Sequence, residues 1–362
     1  MTNLIIIGIW ITPYFVSHQF GFRDSQFLMS SFFMLSFFLY ACYRSQVFIC
    51  KNKWLLAFIL FIPISIFLAP KINIPLFGKA TYFWFPAFCM VSHFLGFAAL
   101  SAAELDTERI TKHIVWAAAL MSVYVILQSI GIDQFFYPLN DHPKAWSATS
   151  PFLTGTLGNS RVVGAYLALC LPAFYHRRDW KAGIVLSALV LIESKLAWFG
   201  VLAGFYVYFA GKSPKRLGFG VLLAVLAIFA YYAWDLPDSA RLSTWLDIWL
   251  SFRAGLAPNG NQFCLTGYGF GSFPYFFSYP HLRIWLRAHN EYIEILWQFG
   301  VIGFGLLMMA VWHHLRNCNR IQPFFAMFCS SLVMAGGFFI WQIGPIAYLT
   351  VLAGAVVVRN DN

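Results

Sequence analysis

The chain is poor in charge: Asp, Glu, Lys and Arg make up 10% of 362 residues, against roughly 25% in a typical soluble domain. With 60% hydrophobic and 20% aromatic residues, an ordinary water-facing surface is excluded, and a bilayer takes its place as solvent. Cysteine is present without pattern. No CxxC spacing occurs among the seven cysteines, and only Cys264 falls in a predicted outer loop, so neither a zinc knuckle nor an internal outer disulfide is expected. HExxH is missing, which removes the commonest helical metalloprotease signature. The chain also lacks internal repeats, low-complexity tracts and breaks in composition. One integral domain over residues 1–362 is expected, with no cofactor and no metal.

Apolar stretches recur from Leu4 to Val358, and a helix needs roughly 20 residues to cross a hydrocarbon core about 30 Å thick. They read as about twelve crossings in an all-α, polytopic membrane protein. The first, Leu4 to Val16, lacks a basic flank and an A-x-A cleavage site and is expected to be retained.

The net charge of +10 suggests a nucleic-acid partner only if it gathers on one surface. It does not gather. Arg44, Lys51, Lys53, Arg109, Lys112, Arg177, Arg178, Lys181, Lys212, Lys215, Arg216, Arg316, Arg320 and Arg359 fall on alternate loops and the C-terminus. That is the positive-inside pattern, which places both termini in the cytoplasm and argues against nucleic acid.

Two outer loops are long, Asp133 to Arg161 and Asp235 to Ala288, and long loops in compact folds tend to carry function. In the second, Asp238 or Ser239 can cap a helix reaching about Leu256, with Leu242, Trp245, Trp249, Phe252 and Leu256 on one face. Such a helix lies along a membrane interface and holds Arg241 near headgroup level. Between the clusters Arg177/Arg178/Lys181 and Lys212/Lys215/Arg216 the chain must leave and return on about thirty residues, too few for two full crossings. The turn at Glu193, Ser194 and Lys195 is therefore expected below the outer surface, inside the protein. A lysine at that depth is a functional candidate.

Three motifs carry possible chemistry. "GTLGNSRVVGAYLALCLP" (Gly155 to Pro172) puts glycines and Asn159/Ser160 at a span's start, which suits either a capped turn or a helix N-terminus that attracts an anion. "TGYGFGSF" (Thr266 to Phe273) is glycine-rich but lacks the strand and helix of a nucleotide fingerprint, and reads as a tight structural turn. "RAHNEYIEILWQFGVIGFG" (Arg287 to Gly305) opens a span with His289, Asn290, Glu291 and Glu294. A solvated helix start explains Asn290 as N-cap and the two acids as partners of the helix dipole. It does not explain His289. Beside Arg283, Arg287 and Arg241, protonation of that imidazole is disfavoured by like charge. This suits a general base, while the arginines suit a diphosphate.

Four stretches together resemble the bacterial O-antigen ligase and O-antigen polymerase superfamily, which includes pilin O-oligosaccharyltransferases. They are "VYVILQSIGID" (Val123 to Asp133), "GTLGNSRVVGAYLALCLP", "ESKLAWFGVLAG" (Glu193 to Gly204), and the run from "ARLSTWLDIW" (Ala240 to Trp249) through "LTGYGFGSF" to "AHNEYIEILWQFGVIG". They span residues 123–305. The resemblance implies a GT-C-like glycosyltransferase of polysaccharide biosynthesis in the bacterial inner membrane, with its active site on the periplasmic face. The donor is a glycan on undecaprenyl diphosphate. The acceptor is lipid A core in ligases, another glycan in polymerases or a protein hydroxyl in oligosaccharyltransferases. On this chain His289 maps to the acceptor-activating base and Arg241 to the catalytic arginine on the donor diphosphate. Lys195, Arg161 and Arg287 are further diphosphate contacts, with Asn159, Asn290, Glu291 and Glu294 in support. The family's serine-arginine-glycine reads Ser194, Lys195, Leu196 here, and its Asn-Pro-Asn reads Asn159, Ser160, Arg161. A different class, a transporter of lipid-linked sugars, would use the same cations for binding alone. Transporters often show duplicated halves, and none is visible in this chain.

Overall fold

The computed structural model describes residues 1–14, 22–44, 52–69, 78–79, 83–84, 86–130, 132, 153, 155–157, 159–210, 263–269, 290–317, 323–336, 341 and 343–358. The described fold is helical but for one small antiparallel ladder, β1 (Gly78–Lys79) with β2 (Phe83–Trp84). The helices are α1 (Thr2–Ile11), α2 (Phe22–Tyr43), α3 (Lys53–Leu68), α4 (Pro86–Ala102), α5 (Thr107–Ser129), α6 (Ser160–Arg177), α7 (Ala182–Ile192), α8 (Lys195–Ala210), α9 (Phe263–Thr266), α10 (Glu291–Asn317), α11 (Phe324–Ala335) and α12 (Gly344–Val358).

Among the described residues three helices are long and apolar enough to cross a membrane: Gln26–Tyr43 within α2, α5 and α10. Several apolar helices of 10–17 residues accompany them. One is α1, which ends at Ile11 rather than continuing to Val16 as the sequence suggests. Thr12 turns its hydroxyl back to the Gly8 carbonyl over 2.8 Å, and Pro13 has no N–H for a further helical bond.

At the centre lies α6, buried without a break from Val162 to Phe174. A helix apolar on every side belongs inside a bundle, and α6 packs on α5, α7, α8, α11 and α12. Its small residues let neighbours approach closely. A Cβ added at Gly164 would meet the Cβ of Ser194 at 2.9 Å, so the start of α6 lies directly against the α7–α8 turn.

Tertiary hydrogen bonds sort the helix ends. The Asp106 N–H donates to the Thr2 hydroxyl over 3.2 Å, Arg177 pairs with Glu108, and Lys181 pairs with Asp179 at 2.8 Å. The starts of α1 and α5 and the end of α6 thus share one end of the bundle, and Arg109, Arg177, Arg178 and Lys181 share it with them. At the opposite end, the Gln26 amide donates to the carbonyls of Pro13 and Thr156, both at 3.0 Å, and the Gly155 N–H donates to Gln128 at 2.8 Å.

Helix α7 has 11 residues and rises about 16 Å, well short of a full crossing. The chain reverses where the spacing predicts, through Glu193 in the left-handed region (φ 54°). Ser194 is buried, but Lys195 is exposed rather than inside the protein as expected. The reason is the close Gly164–Ser194 contact, which leaves room for a hydroxymethyl group only and turns the next side chain outward.

Candidate functional site

The start of α10 is a buried polar knot. Asn290 caps the helix, its Oδ1 accepting from the N–H groups of Tyr292 (3.0 Å) and Ile293 (3.2 Å). Its amide then donates to the Gly336 carbonyl at 2.9 Å, satisfying an end carbonyl of α11. Alongside, the Tyr292 hydroxyl donates to the Leu332 carbonyl at 2.6 Å. The Glu291 carboxylate accepts the Trp341 N–H at 2.7 Å. One turn on, Glu294 accepts from the Gln298 amide at 3.2 Å.

These residues depart from the sequence reading in one respect. Asn290, Glu291, Glu294 and Gln298 are 2%, 1%, 0% and 0% exposed, so the helix start is capped as expected but not solvated. Gly336 and Trp341 cover it. A carboxylate out of water needs hydrogen-bond donors, and Glu291 takes one from backbone.

Below this knot α10 breaks. Gly300 has φ 64° and ψ −172°, a conformation essentially confined to glycine. The break frees two carbonyls of the upper segment, and "LTGYG" (Leu265 to Gly269) supplies their donors. The Tyr268 N–H bonds the Trp297 carbonyl at 3.1 Å, and the Gly269 N–H bonds the Gln298 carbonyl at 2.9 Å. Gly267, at φ 78°, passes so close that a Cβ would lie 2.2 Å from the Gln298 carbonyl oxygen. The described part of the glycine-rich motif is therefore a clamp on a broken helix, while residues 270–273 lie outside the described residues.

Two cations stand at helix starts near this knot. Asn159 caps α6, its Oδ1 accepting from the Arg161 N–H at 2.9 Å, which places Arg161 in the first turn. Lys195 is the first residue of α8. Both lie within about one turn of the Gly164–Ser194 contact, and both are exposed. The knot belongs to the same end. Helix α11 packs along α8, with the Ser330 hydroxyl on the Gly200 carbonyl at 2.8 Å, and the far end of α11 carries Gly336, the partner of Asn290. A cation in a first turn opposes the helix dipole, which favours anions there. Two such cations on two converging helix starts instead add to the attraction for an anionic ligand.

His289, Arg241, Arg287, Arg283 and the interfacial helix expected from Asp238 to Leu256 lie outside the described residues. Sequence reasoning passed over Gln298 and two histidines, His93 and His314, buried at 7% exposure each. Their signal was available, since ionisable residues inside apolar spans mark candidate sites. The His93 ring meets the Ser30 hydroxyl at 3.1 Å and the Cys89 carbonyl at 2.7 Å.

Neither a family model nor a curated protein sequence matches this chain.

Proposed function

We propose that the chain is a metal-independent, inverting glycosyltransferase of the bacterial inner membrane that moves a glycan from undecaprenyl diphosphate to an acceptor hydroxyl. The observation that carries this reading is the pair Arg161 and Lys195, at the starts of α6 and α8, at the same end as the buried start of α10. His289 immediately precedes Asn290 in the chain, and Asn290 is held by three hydrogen bonds. The positive-inside distribution supports a periplasmic side for this end and cytoplasmic termini. About twelve spans in a GT-C-like arrangement belong to the same reading, with the long loop 235–288 as roof.

In the reaction, His289 takes the proton of the acceptor hydroxyl as its oxygen attacks the anomeric carbon. The bond from that carbon to the diphosphate oxygen breaks, and the electron pair leaves with the diphosphate. Arg241, Lys195, Arg161 and Arg287 stabilise the departing charge, as preorganised cations do at a developing anion. One displacement inverts the configuration. The acceptor is lipid A core, a growing glycan or a protein hydroxyl.

The test in cells is complementation of a deletion strain. Wild-type protein restores the missing envelope glycan, and His289→Ala and Arg241→Ala, present at normal levels, do not. Restoration by both variants would refute the mechanism.

A further inference from the structure

A second site lies at the other end of the bundle. Helix α10 packs on α3, while α4 packs on α2 and α12, and between these groups runs a seam with a cavity of about 200 Å³. Its middle is aromatic, with Phe58, Phe94, Phe97, Phe299 and Phe328 among its walls. The seam starts near Glu291 and Trp341 and reaches His314 and Thr350, close to the end of α10 that shares the basic side of the bundle.

At this far end two buried polar atoms have no hydrogen-bond partner among the described residues: His314 Nε2 and Thr350 Oγ1. His314 is 7% exposed and Thr350 8%. The ring stands edge-on to Phe328, 5.0 Å between centroids, and Phe328 lies against Gly354 of α12. A neutral imidazole protonated on Nδ1 presents a lone pair at Nε2. Thr350 lies one turn before Gly354 on α12, on the same face. The pair thus offers one acceptor and one hydroxyl at the head of an apolar seam.

We infer that this end of the seam binds the hydroxyl of a neutral, single-chain lipid. The ligand O–H donates to His314 Nε2, its oxygen accepts from the Thr350 hydroxyl, and its hydrocarbon chain lies along Phe97, Phe94 and Phe58. A water molecule could satisfy the two atoms but needs only about 10–15 Å³, and the cavity is many times larger. A charged headgroup is disfavoured, because among the described residues this end of the cavity is lined by no Lys, Arg, Asp or Glu. The depth also fits, since a lipid of the basic-side leaflet carries its polar group near that surface and its chain toward the bilayer centre. The site is remote from Arg161 and Lys195 and does not depend on glycan transfer.

The test is equilibrium binding to the purified full chain in detergent. Geranylgeraniol and hexadecanol serve as isoprenoid and acyl probes, each measured beside its methyl ether, which keeps the oxygen but loses the donor. At least one alcohol binds saturably, with its ether weaker by about tenfold, the scale of one buried hydrogen bond. The tighter alcohol identifies the source of the chain. His314→Phe brings the alcohol to the affinity of its ether and leaves the ether unchanged, whereas Thr350→Val weakens alcohol and ether alike. Equal binding of alcohol and ether by wild-type protein, or no saturable binding of either alcohol, overturns the assignment even if the variants fail to fold. Loss confined to Trp341→Phe overturns it as well, by placing the head at the opposite end.

Discussion

The Trp341 N–H donates a 2.7 Å hydrogen bond to the carboxylate of Glu291, tying the first residue of α10 to a segment 50 residues downstream. Truncating this side chain, which is 1% exposed, leaves a partly buried backbone donor without its acceptor. Glu291→Ala is expected to destabilise the fold by about 1–3 kcal/mol, the cost of an unsatisfied buried group. Glu291→Gln keeps an acceptor and loses less. Denaturant titration of the two variants in detergent gives the order, and equal stability would remove Glu291 from the structural account.

The break in α10 makes a separate prediction. Gly300→Ala and Gly267→Ala both place a Cβ where backbone already lies, at 2.4 Å from Leu265 and 2.2 Å from Gln298 respectively. Each also forces a side chain into a positive-φ conformation, which costs about 1–3 kcal/mol before any clash. Both variants should melt earlier than Gly305→Ala, because a Cβ at Gly305 meets no atom within 4 Å. A thermal scan of the three decides it.

How much of this was legible beforehand varies with the range of the contact. The caps at Asn159 and Asn290 could be read, because an Asn side chain reaches N–H groups two and three residues ahead. The α7–α8 turn could be read from charge spacing and bilayer thickness. Burial of Glu291 could not, since its partner Trp341 lies 50 residues along the chain. Nor could the break at Gly300, because its cost is offset by donors from Leu265 to Gly269. Local capping rules see only one side of such a joint.

On the opposite end of the bundle, the Asp179–Lys181 pair sets a pH dependence. Burial raises the Asp179 pKa, but hydrogen bonds and charge from Lys181, with Arg177 adding to them, outweigh that and hold it below its ordinary value of 3.8. The folded state therefore binds that proton less readily than the unfolded chain. The pair's contribution to stability is present above the ordinary carboxylate value and is lost as pH falls through the lower, folded-state value. Wild-type protein should melt above Asp179→Asn at neutral pH, with the gap closing in acid. A gap independent of pH would contradict the pairing.

For the cations at the helix starts, geometry predicts a graded response. On the proposed mechanism Lys195→Ala and Arg161→Ala each remove one contact to the donor diphosphate, and KM for the lipid-linked donor is expected to rise by about tenfold or more. Lys195→Arg keeps the charge and adds a planar fork suited to phosphate, so it should retain or improve affinity. Steady-state kinetics with donor varied at fixed acceptor separate these outcomes, and an unchanged KM in both alanine variants would place the diphosphate elsewhere.

The most direct measurement uses purified protein in detergent, with undecaprenyl diphosphate-linked glycan and an acceptor, in the absence of any membrane gradient or compartment. The account predicts transfer of glycan with release of undecaprenyl diphosphate. It also predicts a fall of about 10²–10⁴-fold in rate for His289→Ala, the range that a general base supplies. Binding of the donor without turnover by wild-type protein, across lipid, glycan and peptide acceptors, would contradict it and favour a carrier of lipid-linked sugars.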